Sequence, residues 1–81
     1  MRKSLHTREY RRLIRELRQV RLESGVTQEQ AATRLGTYAS FISKVESCER
    51  RIDVLELKIF CELYRIDLVD FLRRAGVVGC S

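Results

Sequence analysis

The sequence predicts an all-α fold of five helices around one core, and three observations predict it. The 81 residues include no proline and only four glycines, so long helices run uninterrupted and a sheet rich in tight turns is disfavoured. Apolar residues recur every three or four positions, the period of an amphipathic helix. Helix punctuation brackets most of the apolar stretches, with Thr27, Asp53 and Asp67 at starts and Gly25, Gly36 and Gly76 at ends.

A chain of this length forms one domain with a modest core. At 44% hydrophobic and 33% charged residues it has a globular composition. The expected division is a flexible basic arm over residues 1–7, a helical domain over 8–76 and a tail over 77–81.

Helix 1 is expected from near Thr7 to Ser24-Gly25, with Tyr10, Leu13, Ile14, Leu17 and Val20 on one face and arginines on the others. Helix 2 opens at Thr27, where Thr27-Gln28-Glu29-Gln30 fits a capping box. Ala31, Ala32 and Leu35 form its buried stripe, and the helix stops at Gly36. A short turn, Gly36-Thr37-Tyr38, leads into helix 3, with Ile42 and Val45 inward and a short polar outer face. A charged loop is expected from Glu46 to Ile52. Helix 4 follows from Asp53 to Tyr64, apolar almost all round, which suits a central position or cover by another chain. Helix 5 runs from Asp67 to Gly76.

The net charge of +5 is unevenly placed. Residues 1–21 hold eight basic side chains against two acidic ones, a net of +6, whereas residues 22–81 sum to −1. A polyanion, nucleic acid before a membrane surface, explains such an excess, and a solvated helix face is the plain alternative. No apolar run approaches the roughly 20 residues of a membrane span. Residues 1–7 lack a signal-peptide stretch, so a cytoplasmic location is expected. The three cysteines, Cys48, Cys61 and Cys80, fit neither a zinc pattern nor a disulfide framework and read as reduced thiols, with Cys61 in the core. The single histidine, His6, lies in the arm. With no nucleophile–base pair, metal cluster or phosphate loop, no enzymatic activity, metal or cofactor is expected.

Two short helices joined by about three residues, glycine among them, have the geometry of a helix-turn-helix, which sets its second helix in a DNA major groove. Helical hairpins also occur in proteins that never touch DNA. The residues themselves narrow the choice. Gly25-Val26-Thr27-Gln28-Glu29-Gln30-Ala31-Ala32-Thr33-Arg34-Leu35-Gly36, Ser40-Phe41-Ile42-Ser43-Lys44-Val45-Glu46-Ser47 and Glu49-Arg50-Arg51 resemble the Cro/C1-type (XRE) helix-turn-helix family. That family includes phage repressors, restriction controllers and antitoxins. The resemblance spans roughly Leu13 to Leu72 and implies a five-helix, lambda-repressor-like DNA-binding domain.

It also implies roles. Gln28 matches a glutamine that anchors a phosphate beside a helix N-terminus. Tyr38, Ala39, Ser40, Ser43 and Lys44 match the groove-facing segment, with Thr37 and Phe41 also counted among the expected DNA-binding residues: Lys44 suits guanine O6 or N7, and the Ala39 methyl suits a thymine methyl. Phe41 either packs over helix 2 or lies along the DNA backbone. Arg50 and Arg51 match phosphate contacts, with a surface pair to Glu49 as the alternative. Arg21 and Glu46 match an ion pair between helices 1 and 3, one partner of which is costly to remove, about 3–5 kcal/mol, if the pair is buried. The implied protein is a dimeric transcriptional regulator, a repressor or controller on a pseudo-palindromic operator in double-stranded DNA, paired through helices 4 and 5. The alternative is an antitoxin-type protein whose main act is to bind a protein partner, its DNA binding being autoregulatory.

Three positions depart from the family pattern. Cys48 stands where glycine is usual, and a left-handed backbone there strains a residue with a Cβ. Ala39 replaces a longer base-reading side chain. Tyr38 is a poor N-cap for helix 3, which leaves Thr37 as the candidate cap.

Overall fold

Capping chemistry sets the helix boundaries. The computed structural model describes residues 7–77. In them α1 (Arg8–Glu23), α2 (Gln28–Leu35), α3 (Ala39–Glu46), α4 (Val54–Leu63) and α5 (Leu68–Arg74) follow in order, with no strand among the described residues. The Thr7 hydroxyl accepts from the Tyr10 N–H and starts α1. Thr27 with Gln30, and Asp53 with Glu56, form complete capping boxes at α2 and α4. Asp67 accepts from the N–H groups of Val69 and Asp70 at α5. Apart from Thr7, the expected arm lies outside the described residues, as do Cys80 and the tail beyond Val77.

The expected loop from Glu46 to Ile52 is shorter by one residue, because Glu46 is the last residue of α3. Its backbone completes the helix that begins at Ala39, and its side chain turns back toward α1.

The core is built where the helical period said it would be. Ile14, Leu17, Ile42, Val45, Cys61 and Phe71 are the largest side chains almost fully removed from water. Ala31 and Ala32 are buried in α2, and their small size lets α3 pack close against it. Leu35, expected in the same stripe, is half-buried at its edge. Helix α4 turns Leu57, Phe60 and Cys61 inward but leaves Val54, Leu55 and Ile59 at 62%, 68% and 49% exposure.

Long-range polar contacts tie the ends of the fold together. The Ile52 N–H donates to the Tyr10 hydroxyl at 3.2 Å, joining the α3–α4 loop to α1. Arg74 of α5 donates to Glu16 at 2.8 Å and also to Glu23, both on α1. That contact lowers the Glu23 carboxyl pKa, with a smaller contribution from Gln19. Burial, then the charges of Asp67 and Glu62, push the Cys61 thiol up to about 11, so it stays protonated and unreactive at neutral pH.

Among the described residues, two other than glycine adopt the left-handed conformation: Cys48 at φ +66° and Arg65 at φ +60°. Each follows a helix end, where glycine is the usual solution. Arg65 is exposed and Cys48 buried, so the same substitution separates strain from packing. Arg65→Gly is expected to stabilise by about 0.5–1 kcal/mol, the left-handed strain relieved less the backbone entropy of glycine. Cys48→Gly is expected to give no gain, because loss of the buried thiol offsets the relief. Urea unfolding of the two variants checks both.

Candidate nucleic-acid interface

The turn between α2 and α3 is made by Gly36 at φ +72°, with the Thr37 N–H donating to the Ala32 carbonyl at 2.9 Å. That bond uses Thr37 to close α2. Thr37 does not cap α3, contrary to expectation: it lies one residue before the N-cap position, which Tyr38 fills without a side-chain capping bond. Lacking such a cap, α3 is held by packing, since Ile42 and Val45 have no measurable exposure.

The same packing turns Ser40, Ser43 and Lys44 to solvent, with Ala39 half-exposed and Tyr38 at 80% exposure. Lys44 forms no ion pair among the described residues. The outer face of α3 is thus short, polar and free of carboxylates until Glu46. Such a surface can enter a major groove, which admits one helix and offers hydrogen-bonding base edges.

Glu46 faces inward. Arg21 reaches it from α1, with Nε donating to Oε2 at 2.6 Å and Nη2 to Oε1 at 3.1 Å. The two side chains are only 7% and 5% exposed. Arg21 Nη1 also donates to the Val26 carbonyl at 2.8 Å, in the link before α2. The pair therefore ties α1, the start of α2 and the end of α3. Gln28, the first residue of α2, donates from Nε2 to Glu46 Oε1 at 3.0 Å. Beside it an open cleft of about 450 Å³ is lined by Arg21, Val26, Thr27, Gln28 and Ala39, among others. Behind the pair lies Tyr64, whose buried hydroxyl has no hydrogen-bond partner among the described residues. Burial, and then the Glu46 charge, raise its pKa and keep it protonated.

Phe41 is half-buried against the core. Its ring stacks on Phe60 of α4, with centroids 6.5 Å apart and planes within 9°. The Arg50 guanidinium covers the same ring at 4.9 Å and pairs with Glu56 at 3.1 Å, not with Glu49. Arg51 lies over the Tyr10 ring at 5.1 Å. Both arginines stand beside the exit of α3, exposed and held by aromatic faces.

Sequence reasoning missed Arg18, whose Nε lies 3.9 Å from Glu46 on the side of α1 next to α3. Arg8, Arg11, Arg12 and Arg15 are exposed on the same helix and carry no ion pair among the described residues. Glu16 and Glu23, the acids engaged by Arg74, stand seven residues apart along another flank. No group of histidine, cysteine or acidic residues that could hold a metal ion occurs among the described residues. No helix among them is long and apolar enough to cross a membrane.

Comparison with known proteins places this geometry. Residues 12–75 match the family model of a helix-turn-helix domain. A solved XRE-family like protein from Pseudomonas syringae pv. tomato str. DC3000 is 37% identical, with a TM-score of 0.82 over 90% of this chain and 89% of that one. No curated protein matches.

The energetics of the buried pair are directly measurable. Arg21→Met strands the Glu46 carboxylate and is expected to cost about 3–5 kcal/mol in urea unfolding. Arg21→Met combined with Glu46→Leu is expected to recover most of that loss, because a packed apolar pair replaces two desolvated charges. A double variant no more stable than the single would mean that the stranded charge is not the source of the cost.

Proposed function

This chain belongs to the XRE type of helix-turn-helix proteins, and we propose that it is a dimeric, sequence-specific regulator of transcription that reads double-stranded DNA through α3. Membership of that family makes it a DNA-binding regulator; the finer reading rests on the surface of α3. The observation that carries it is the contrast within one helix between fully buried Ile42 and Val45 and exposed, unpaired Ser40, Ser43 and Lys44.

In this reading Lys44 donates to guanine, Ser40 and Ser43 reach base edges or phosphates, and the Ala39 methyl meets a thymine methyl. Thr37 and Tyr38 form the rim at the start of the helix. Gln28 donates to a backbone phosphate at the cleft beside α2, where the helix dipole favours an anion. Arg50 and Arg51 hold phosphates beyond the other end. Phe41 acts indirectly, as the plate on which Arg50 rests. The unpaired arginines of α1 add sequence-independent attraction that salt weakens.

The exposed Val54, Leu55 and Ile59 of α4, with Val69 of α5 at 45% exposure, are the surface on which two copies pair. Pairing sets two recognition helices about 34 Å apart, one turn of duplex, so that the operator is pseudo-palindromic. A bound dimer acts as a repressor or controller by occupying promoter DNA. Nothing in the chemistry of the site calls for catalysis: its side chains are donors and apolar contacts.

Mobility shift on a duplex selected from random sequence, set against a scrambled duplex, tests the reading. Lys44→Ala is expected to weaken the selected duplex about 5- to 100-fold, the range of one base contact, and to leave the scrambled one nearly unchanged. Arg50→Ala weakens both and lowers the salt slope by about 1. Equal losses on both duplexes with Lys44→Ala would remove that side chain from base reading. Leu55→Glu is expected to give a folded monomer by sedimentation. Unchanged association would mean that the two copies pair through a different surface.

A further inference from the structure

We infer that Glu46 is a positioning residue for DNA contact: anchored by Arg21, it holds the Gln28 amide at the mouth of the cleft before any ligand arrives. The inference rests on the proposed reading of Gln28 as a phosphate contact. It concerns how that contact is prepared.

The contacts close a ring. The Val26 carbonyl accepts from Arg21 Nη1 at 2.8 Å, Arg21 holds both Glu46 oxygens at 2.6 and 3.1 Å, and Glu46 Oε1 accepts from Gln28 Nε2 at 3.0 Å. Gln28 lies two residues after Val26, so the ring begins and ends on the same short stretch of chain. Its rigid part is the buried ion pair, and the half-buried Gln28 is its movable member.

Three physical consequences follow. A carboxylate only accepts, so it selects the amide orientation with nitrogen toward Glu46. The NH2 group carries two donors, and Glu46 uses one, which leaves the second for an anion in the cleft. A glutamine fixed in this way has already lost most of its rotamer freedom on folding, so that cost does not recur on binding. A lone carboxylate near a phosphate would repel it, but here Arg21 neutralises the charge, and Arg18 stands 3.9 Å away on the outer side. The ring therefore orients a donor without presenting net negative charge to the anion.

Four proteins test the inference: the natural chain, Gln28→Ala, the Arg21→Met/Glu46→Leu double variant, and the triple variant. Each is checked for folding by circular dichroism and titrated with the selected duplex at one salt concentration. Gln28→Ala is expected to cost about tenfold in affinity in the natural chain, the scale of one hydrogen bond to a charged group. It should cost less than about twofold in the background without the ion pair, where the amide is already free to turn. An equal cost in both backgrounds overturns the inference while leaving Gln28 as a contact. No cost in the natural chain overturns the phosphate reading and the inference with it.

The Gln28 side-chain amide resonances in DNA-free protein give a second readout. They are expected to be dispersed and slow to exchange in the natural chain and to collapse toward free-glutamine values without Glu46. Unchanged resonances in the double variant would show that Glu46 does not hold the amide, and would also overturn the inference. Glu46→Gln keeps a carbonyl acceptor and serves if the double variant does not fold. It is expected to restore dispersed resonances and the tenfold effect of Gln28→Ala, a rescue that stability alone would not produce, and loss of both would count against the inference.

Discussion

One buried ion pair sets the relation between the body of the protein and its recognition helix. Arg21 and Glu46 are almost wholly removed from water, and neither can leave without stranding the other in an apolar interior. Arg21 also spends a donor on the Val26 carbonyl, so a single guanidinium fixes the end of α1, the entry to α2 and the end of α3. Hydrophobic packing is tolerant of small rotations. A bidentate guanidinium–carboxylate contact is directional, and it defines the angle at which α3 leaves the core.

With its far end fixed, α3 does without a side-chain cap at its start. Its N-cap residue, Tyr38, makes no capping bond, and the residue after its C-cap, Cys48, lies in the left-handed region at φ +66°. Buried Ile42 and Val45 compensate by anchoring it from beneath, and Phe41 locks its flank to Phe60 of α4. The outer surface is thereby released from any structural duty. The serines and lysine there carry no bond that DNA would have to break, whereas the donors flanking them, Gln28 and Arg50, are held in place by Glu46, Phe41 and Glu56.

Local chemistry was legible in the sequence, and distant partnership mostly was not. Thr27, Asp53 and Asp67 act within three residues of themselves, so residue type at the helix start foretells the caps, and the spacing of Thr27 to Gln30 foretells a capping box. Ile14, Leu17, Ile42 and Val45 are marked by period alone. By contrast, the grip of Arg74 on Glu16 joins residues 58 apart, and the Tyr10–Ile52 bond spans 42. No local rule identifies such partners, because helix packing creates the neighbourhood. Arg50 illustrates the difference: adjacency suggested Glu49, but the turn after α3 carries its guanidinium to Glu56 and the Phe41 ring. Thr37 shows a related effect: its hydroxyl suits a cap, but the turn after α2 sets the start of α3 one residue later, at Tyr38.

Function in this protein turns on which surface meets the duplex. Amide chemical-shift mapping during titration of isotope-labelled protein with a selected operator duplex measures that directly. The perturbed residues are expected to cluster at 27–29, 37–47 and 50–51, with smaller shifts along the arginine side of α1. Shifts confined to α4 and α5, with α3 unmoved at saturating DNA, would contradict that expectation.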